Sequence, residues 1–558
     1  MKQGPIKLMV TRRNFIKGVG LLSASAALAA CSGNGQSGKS TPSAAASPLL
    51  AIIHTNDTHG HDTEVKTEGD VAGNFSMAAV AQLKADWKAK GYDVLLLDVG
   101  DATQGMPLVD QSKGEAGIAF MNSCGYDLMA VGNHEFDHGD EQITRFEQEA
   151  NFPIISANVL VKETGEPRFT ASKTFDLSDG TKVGIFGLTT PSTLTTSMPV
   201  MVEKFTFLGG EDLFNCARQQ VKDLRNKGCD LIICLGHLGN QEADAPSTSR
   251  ELLRNVEGID LFLDGHDHKL VSEEVNGTPL IETGSYMANI GLVVIDSGAP
   301  VDKSVAYGTY DGIDQPTQAI IDQVNDQVKG ELNVVLGHTK FTMDGERASI
   351  RTRETNLGDF LCDAIMWGTE QSSGTKPDAA LCNSGGIRAS VQEGDISLAS
   401  IKAVFPFANQ MLILKLTGDQ LLKALEASCQ NIGLDSFIGA FPQVAGMKFT
   451  IDSTVPYEKG DTYPGSTFAA PAAPGARVTI EQVGGRPWSA TDTYLLATLD
   501  FLCQGGDTYY EFKQAADLES PIICDFDYEI FAGFLTGPCN HEVPDVYESP
   551  QDRIAILQ

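Results

Sequence analysis

Five apolar runs in the first half of the chain each end in side chains that bind metals. Leu49 to Ile53 leads to His54-Thr55-Asn56-Asp57-Thr58-His59-Gly60, and Val94 to Leu97 leads to Asp98-Val99-Gly100-Asp101. Leu128 to Val131 leads to Gly132-Asn133-His134-Glu135-Phe136-Asp137-His138-Gly139. Leu231 to Leu235 leads to Gly236-His237, and Ile259 to Leu263 leads to Asp264-Gly265-His266-Asp267-His268. Short apolar runs bounded by turn residues read as buried strands, and an open α/β sheet carries its chemistry at the carboxyl edge of its strands. Segments of helical character between them, Met77 to Lys90, Asp140 to Glu149 and Glu211 to Lys227, fit crossovers covering a central sheet. Such a chain has to bring five polar ends to one place.

The donor types decide what that place can hold. Carboxylates, neutral imidazoles and an amide oxygen suit borderline divalent ions such as Zn²⁺ or Mn²⁺, with no thiolate required. Asp57, His59, Asp101, Asn133, His237, His266 and His268 are about enough for two ions sharing one carboxylate, with positions left for water and phosphate. Gly100 lets the backbone turn so that Asp101 points inward. His134 and Asp137 add an imidazole and a carboxylate three residues apart. His54, inside a strand run, reads as a packed core histidine. His61 and His138 flank the motifs, and Asp98 and Asp264 sit beside candidate ligands as possible supports for them.

The second half has separate landmarks. Asp314 to Leu332 places Ile320, Ile321, Val324 and Val328 at helical spacing and reads as a mostly solvated helix joining two domains. Beyond it come Arg347 and Arg351, four apart, then Asn383-Ser384-Gly385-Gly386-Ile387-Arg388, Phe405-Pro406-Phe407, and Phe501-Leu502-Cys503-Gln504-Gly505-Gly506-Asp507. Singly, these read as surface arginines, a glycine turn and core phenylalanines.

At 558 residues the chain exceeds one core and requires two or three domains. Its formal charge is −32, and residues 1–30 hold Lys2, Lys7, Arg12, Arg13 and Lys17 without an acid, which leaves −37 on the remainder. That balance argues against a nucleic-acid polymer or an anionic membrane face as partner. Thr11-Arg12-Arg13-Asn14-Phe15-Ile16-Lys17, the apolar Val19 to Ala30 and Leu28-Ala29-Ala30-Cys31 resemble a twin-arginine lipoprotein signal. Cleavage before Cys31 predicts an exported protein of the cell envelope, in the periplasm or on the outer face of the cell membrane. Its only membrane attachment would be a lipid on Cys31, and Ser32 to Pro48 would form a flexible tether. Ten cysteines remain after Cys31; an oxidising compartment permits disulfides, and Cys362 with Cys382 and Cys524 with Cys539 are the first pairs to test.

The five ordered motifs resemble those of the calcineurin-like binuclear metallophosphatases, and the whole chain resembles the 5′-nucleotidase family of secreted and periplasmic nucleotide hydrolases. That resemblance implies an α/β (α+β) fold: an N-terminal four-layer metallophosphatase β-sandwich flanked by helices, a linker helix and a C-terminal α/β nucleotide-binding domain. The expected divisions are 1–30 signal, 31–48 tether, 49–312 metallophosphatase domain, 313–334 linker and 335–558 substrate-binding domain. It implies that Asp57, His59, Asp101 and His268 hold one metal, that Asp101, Asn133, His237 and His266 hold the other, and that His134 with Asp137 is a catalytic dyad. Two ions so placed clamp a phosphoryl group and supply hydroxide for in-line attack. By the same resemblance Arg347, Arg351 and Arg388 grip the phosphate or ribose side, and Asn383 contacts the base or its surroundings. Phe407 and Phe501 stack on the base, and Asp507 accepts the ribose hydroxyls. Rotation of the second domain about the linker then gives open and closed forms.

The activity implied is metal-dependent hydrolysis of nucleoside 5′-monophosphates, extending to di- and triphosphates or nucleotide sugars. His268 stands where several 5′-nucleotidases carry Gln or Asn, which keeps open a 2′,3′-cyclic-nucleotide phosphodiesterase with 3′-nucleotidase activity. A non-catalytic nucleotide-binding lipoprotein is the reading from another class.

Overall fold

The structure, a computed structural model, describes residues 49–66, 73–197, 199–240, 245–296, 299–464 and 466–557. The export-signal, cleavage and tether readings fall on residues 1–48, outside the described residues.

Alternate residues along the first-half strands serve two different cores, which is why these runs are continuously apolar. One sheet has the order Val301–Asp302, Asn289–Ile295, Leu50–Thr55, Asp93–Asp98, Leu128–Ala130, Ile154–Ile155. Leu50–Thr55, Asp93–Asp98, Leu128–Ala130 and Ile154–Ile155 run parallel, and Asn289–Ile295 is antiparallel to the first of them. A second sheet has the order Leu270–Val275, Thr278–Thr283, Leu261–Asp264, Leu231–His237, Lys182–Thr189, Ser172–Asp176, parallel through its four inner strands. Leu50, Ile52, Leu95, Leu97 and Leu128 face Val183, Ile185, Ile233, Leu235, Leu261 and Leu263 between the sheets. On the other faces, Ala51, Ile53 and Leu96 pack under the helices Met77–Ala89 and Glu115–Cys124. Phe186, Ile232 and Phe262 pack under Glu211–Asn226 and Ser249–Asn255. The result is a helix–sheet–sheet–helix sandwich. The five ligand-bearing runs are therefore split three and two between sheets, not ranged along one central sheet.

Helix Gln315–Leu332 joins the two units with most of its described side chains exposed or half-buried, but its apolar stripe is covered. Ile321 and Val324 are buried against the layer formed by Met77–Ala89 and Glu115–Cys124, so the helix belongs to the first unit's outer face. From Val335–Thr339 onward the chain builds a second unit around a five-stranded sheet of order Pro442–Ala445, Ala379–Asn383, Thr493–Leu499, Gln410–Thr417, Ile522–Phe526. Helix Asn356–Ser373 packs on this sheet; Thr355 Oγ1 accepts from Gly358 N at its start, and Gly374, at φ 71°, ends it. The final strand, Ile554–Leu557, pairs parallel to Met447–Asp452 and closes the unit.

All ten described cysteines are free thiols, nine of them buried, so neither Cys362–Cys382 nor Cys524–Cys539 forms a disulfide here. Burial pushes the Cys362 and Cys382 thiols up, keeping them protonated and packed as small apolar groups. No helix among the described residues is long and apolar enough to cross a membrane.

Candidate active site

The carboxyl ends of the parallel strands from both sheets meet at one point, and the loops that leave them turn sharply. Asp57, His59, Asp101, His266 and His268 all have positive φ, at 49°, 46°, 59°, 87° and 60°. Non-glycine residues in that region cost about 1–3 kcal/mol each and persist only where the surroundings over-determine them. Several supports do so. Gly100 has φ 103°, and a Cβ on it would lie 2.4 Å from Gly132 N, so the two loops touch only because both are glycine there. Asp98 accepts from Thr55 Oγ1 at 2.6 Å and from Gly100 N at 2.8 Å. Asp264 accepts from the main-chain nitrogens of Leu238, Gly239 and Gly265. Both aspartates thus hold loop backbone rather than the candidate ligands' side chains.

Glu135, part of the third motif but given no role by sequence reasoning, is the principal support of the Asp101 loop. Its buried carboxylate accepts from Gly132 N (2.7 Å), Asp101 N (2.9 Å), Ala102 N (2.9 Å) and Thr103 N (3.2 Å). Four main-chain donors on one carboxylate fix a loop more firmly than any single pair. The only signal in the sequence was an acid inside an otherwise buried motif.

The seven candidate ligands converge. His237 Nε2 lies 3.2 Å from Asp101 Oδ2, and His59 Nε2 lies 3.7 Å from the same oxygen. His268 Nε2 is 3.4 Å from Asp57 Oδ1 and 3.2 Å from His59 Nε2. Asn133 Oδ1 is 3.2 Å from His237 Nε2 and 2.9 Å from His266 Nδ1. Asp101 therefore stands between two groups: Asp57, His59 and His268 on one side, and Asn133, His237 and His266 on the other. Asp57 also reaches within 4.0 Å of His237.

The tautomers suit a cation. His237 Nδ1 bonds Val99 O at 2.9 Å and His59 Nδ1 bonds Gln104 Oε1 at 3.2 Å, so in each ring Nε2 is the nitrogen turned toward Asp101. Imidazoles and carboxylates meeting in a buried space fit divalent ions, and the donor trios Asp57–His59–His268, Asp57–Asp101–His237 and His59–Asp101–His134 each come within 4.8 Å of one another. Burial pushes Asp101 up, but His237 prevails and holds it well below the carboxylate range; burial likewise lowers His237, but Asp101 and then Asp57 prevail and hold it well above the imidazole range until a cation takes the proton's place. Burial pushes Asp57 up. Burial, and then the arginines across the cleft, hold His59 and His268 well below the imidazole range, in the neutral form that can ligate.

His134 begins a short 3₁₀ turn, His134–Phe136, whose closure brings Asp137 Oδ2 to 2.7 Å from His134 Nδ1. The other ring nitrogen of His134 is left for the cleft, and its main-chain nitrogen donates to Asp101 Oδ1 at 2.8 Å. His54 is fully buried with neither ring nitrogen partnered, and burial lowers it to about 4, as expected of a neutral core residue. His61 stacks on Tyr286 at 4.5 Å, and His138 lies 3.7 Å from Asp110 at the cleft edge.

The second unit brings its own strand ends to the same cleft. Asn383 ends the strand Ala379–Asn383, Phe407 precedes Gln410–Thr417, and Phe501 lies in the turn Asp500–Cys503 after Thr493–Leu499. Together with Arg347, Arg351, Arg388 and Asp507 they line one cavity of about 150 Å³, shared with Asp101, Asn133, His134, Asp137, His266 and His268. Asp507, at φ 49°, accepts from Asn383 Nδ2 at 2.6 Å, and burial raises it to about 6.

Among the described residues, three contacts join the units across this cavity. Arg388 Nη2 donates to His59 Nε2 at 3.3 Å, Phe407 stacks on His134 with centroids 5.5 Å apart, and Asp507 N donates to Thr195 O at 2.7 Å. Phe407 thus sits against the His134–Asp137 pair as well as in the cavity wall. Phe437 and Phe468, which lie in none of the sequence motifs, are two further phenylalanines in the lining, Phe437 5.9 Å from the Arg347 guanidinium. Arg347, Arg351 and Arg388 form no carboxylate ion pair among the described residues, and burial lowers Arg347 and Arg351 below the guanidinium range. Three unneutralised guanidinium groups beside a cluster built for cations define a strong anion site.

Comparison with known proteins agrees with this layout. Residues 50–270 match the family model described as calcineurin-like phosphoesterase, and residues 335–514 the one described as 5′-nucleotidase, C-terminal domain. The chain is 32% identical over 550 residues to the trifunctional nucleotide phosphoesterase protein YfkN of Bacillus subtilis (strain 168), covering 89% of this chain and 34% of that one. It therefore spans about a third of that relative's length. It is 28% identical over 514 residues to a 5′-nucleotidase of Vibrio vulnificus (strain CMCP6), covering 82% of this chain and 85% of the relative. The crystal structure of a 5′-nucleotidase precursor from Thermus thermophilus matches with a TM-score of 0.76 at 27% identity, over 91% of this chain and 99% of that one. With both matched domains in this order and the fold shared along nearly the whole chain, the protein belongs to the 5′-nucleotidase family of phosphate-ester hydrolases, with a calcineurin-like phosphoesterase domain in front.

Proposed function

We propose that the protein hydrolyses nucleoside 5′-monophosphates to nucleoside and phosphate in the cleft between its two units. The observation that carries this reading is the meeting of four of the seven donors, Asp101, Asn133, His266 and His268, with three guanidinium groups that lack carboxylate partners among the described residues, inside one aromatic-lined cavity. Calcineurin-like phosphoesterases imply divalent metal ions, and the donors here suit Zn²⁺ or Mn²⁺. Asp57, His59, Asp101 and His268 would hold one ion, and Asp101, Asn133, His237 and His266 the other. Bound there, such ions supply Lewis acidity toward the phosphoryl oxygens and a lowered pKa for water.

The chain's own residues do the rest. Arg347, Arg351 and Arg388 hold phosphate oxygens, and the wall of Phe407, Phe501 and Phe437 shields the reacting group from bulk water. Phe407 and Phe501 offer faces for a base; stacking of that kind tolerates every base. Asp507, ionised above its pKa, accepts the ribose hydroxyls. His134, with Nδ1 held by Asp137, presents Nε2 to donate a proton to the departing ribose oxygen.

Turnover of AMP, 3′-AMP, 2′,3′-cyclic AMP and UDP-glucose by metal-stripped protein, with Zn²⁺ or Mn²⁺ restored singly, tests the assignment. Fastest turnover of AMP supports it. Fastest turnover of the cyclic or 3′ substrate overturns it in favour of the second reading, which His268 favours. Hydrolysis of none of the four with either ion leaves a nucleotide-binding protein. We further propose export with a lipid on Cys31. Mass spectrometry of the envelope-extracted protein should find a diacylglyceryl Cys31 at the amino terminus, and a mature chain retaining Met1 overturns it.

A further inference from the structure

The segment Thr189-Thr190-Pro191-Ser192-Thr193-Leu194-Thr195-Thr196-Ser197 belongs to none of the five motifs, yet Thr189, Thr190, Ser192, Thr193, Thr195 and Ser197 are all buried. Buried hydroxyls need partners, and these find theirs within the loop and toward the donor cluster, while a main-chain carbonyl of the loop reaches the second unit. Toward the donor cluster, Ser197 Oγ donates to Asn133 O at 2.5 Å, and Ser192 Oγ lies 3.4 Å from His266 Nε2. Thr189 Oγ1 donates to Val131 O, two residues before Asn133, at 2.7 Å. Toward the second unit, Thr195 O accepts the main-chain N–H of Asp507 at 2.7 Å, and the Asp507 carboxylate is tied to Asn383 in the cavity wall.

The loop is stiff between these ends. Thr195 N and Thr196 N both donate to Ser192 O, at 2.8 and 2.9 Å, and Ser197 N donates to Thr193 O at 3.2 Å. A pull on Thr195 O therefore moves Ser192 and Ser197 with it, and through them Asn133 and His266.

We infer that this loop couples occupancy of the nucleoside pocket to the placement of Asn133 and His266, with Ser192 and Ser197 as positioning residues. The inference rests on the nucleotide reading above, because Asp507 must respond to a sugar. Coupling between two sites is reciprocal, so a ligand seated on Asp507 must tighten the metal held by Asn133 and His266 by the factor that the metal tightens the ligand.

A nucleoside without phosphate isolates this path, since it cannot touch the ions. The experiment titrates Mn²⁺ into the metal-stripped full chain against a chromophoric chelator, with and without saturating adenosine, while calorimetry follows adenosine binding separately. Adenosine is expected to tighten the weaker Mn²⁺ site about fivefold, at the lower end of typical couplings. Ser192→Ala and Ser197→Ala together should bring that factor below twofold with adenosine affinity of the metal-free protein unchanged, and Ser197→Thr, which keeps a hydroxyl, should retain it. Adenosine that binds without moving the Mn²⁺ affinity overturns the coupling alone, as does a double variant that keeps the full factor. Failure of adenosine to bind at all overturns the nucleotide reading and the coupling with it.

Discussion

His134 is where the geometry of single side chains bears most directly on the chemistry. Its Nδ1 is committed to Asp137, and although its ring packs edge-on 5.2 Å from His59 it is none of the seven candidate ligands, so the imidazole can be removed without removing one of them. His134→Ala should lose about 10²–10⁴-fold in kcat while metal content stays at the wild-type level; steady-state rates and elemental analysis of the same preparation decide it, and full activity in the variant removes His134 from the mechanism. Asp507 gives a pH signature. Burial raises its carboxyl to about 6, so it is ionised and able to accept ribose hydroxyls above that pH and protonated below it. The KM for nucleotides should stay level above pH 7 and rise as pH falls through 6. Asp507→Asn should give a raised KM with that inflection gone. An unchanged inflection in the variant assigns the titration to another group.

Among the elements, strands and helices differ in how much their sequences disclose. Ile321 on helix Gln315–Leu332 is fully buried against the first unit, so Ile321→Ala should cost about 2–5 kcal/mol and lower Tm, whereas a solvated helix would lose almost nothing. The apolar stripe of that helix was visible in the sequence, but its partner was not, because periodicity marks a face and not what covers it. The five strand runs were legible for the opposite reason: both of their faces are buried, which makes them apolar throughout. That same property hid their division between two sheets, since a run apolar on both faces does not say which neighbour it pairs with. The ligand residues could be read because few other reasons place Asp, Asn and His at five strand ends. Glu135 and the hydroxyls of Thr189 to Ser197 could not, because most of their partners are brought close only by folding. Phe437 was hidden among phenylalanines that are mostly core.

For the molecule as a whole, neither unit holds a complete site. The donor cluster lies on one and the arginine–aromatic wall on the other, and a chain bearing −37 beyond its first thirty residues keeps three unneutralised guanidinium groups at their meeting point. An anionic ligand is thus favoured only where the two units face each other. Phe407→Ala with Phe501→Ala should raise KM for nucleotides at least tenfold while leaving KM for a small aryl phosphate within about threefold, since each stacked base contributes about 1–3 kcal/mol. Equal losses on both substrates would show that the aromatic wall serves the phosphate end rather than the base. The bond from Asp507 N to Thr195 O has a consequence of its own, because it is made by peptide groups alone. At position 507 only proline lacks the required N–H, so amino-acid replacement can redraw the pocket's chemistry while the seam between the halves keeps its stitch.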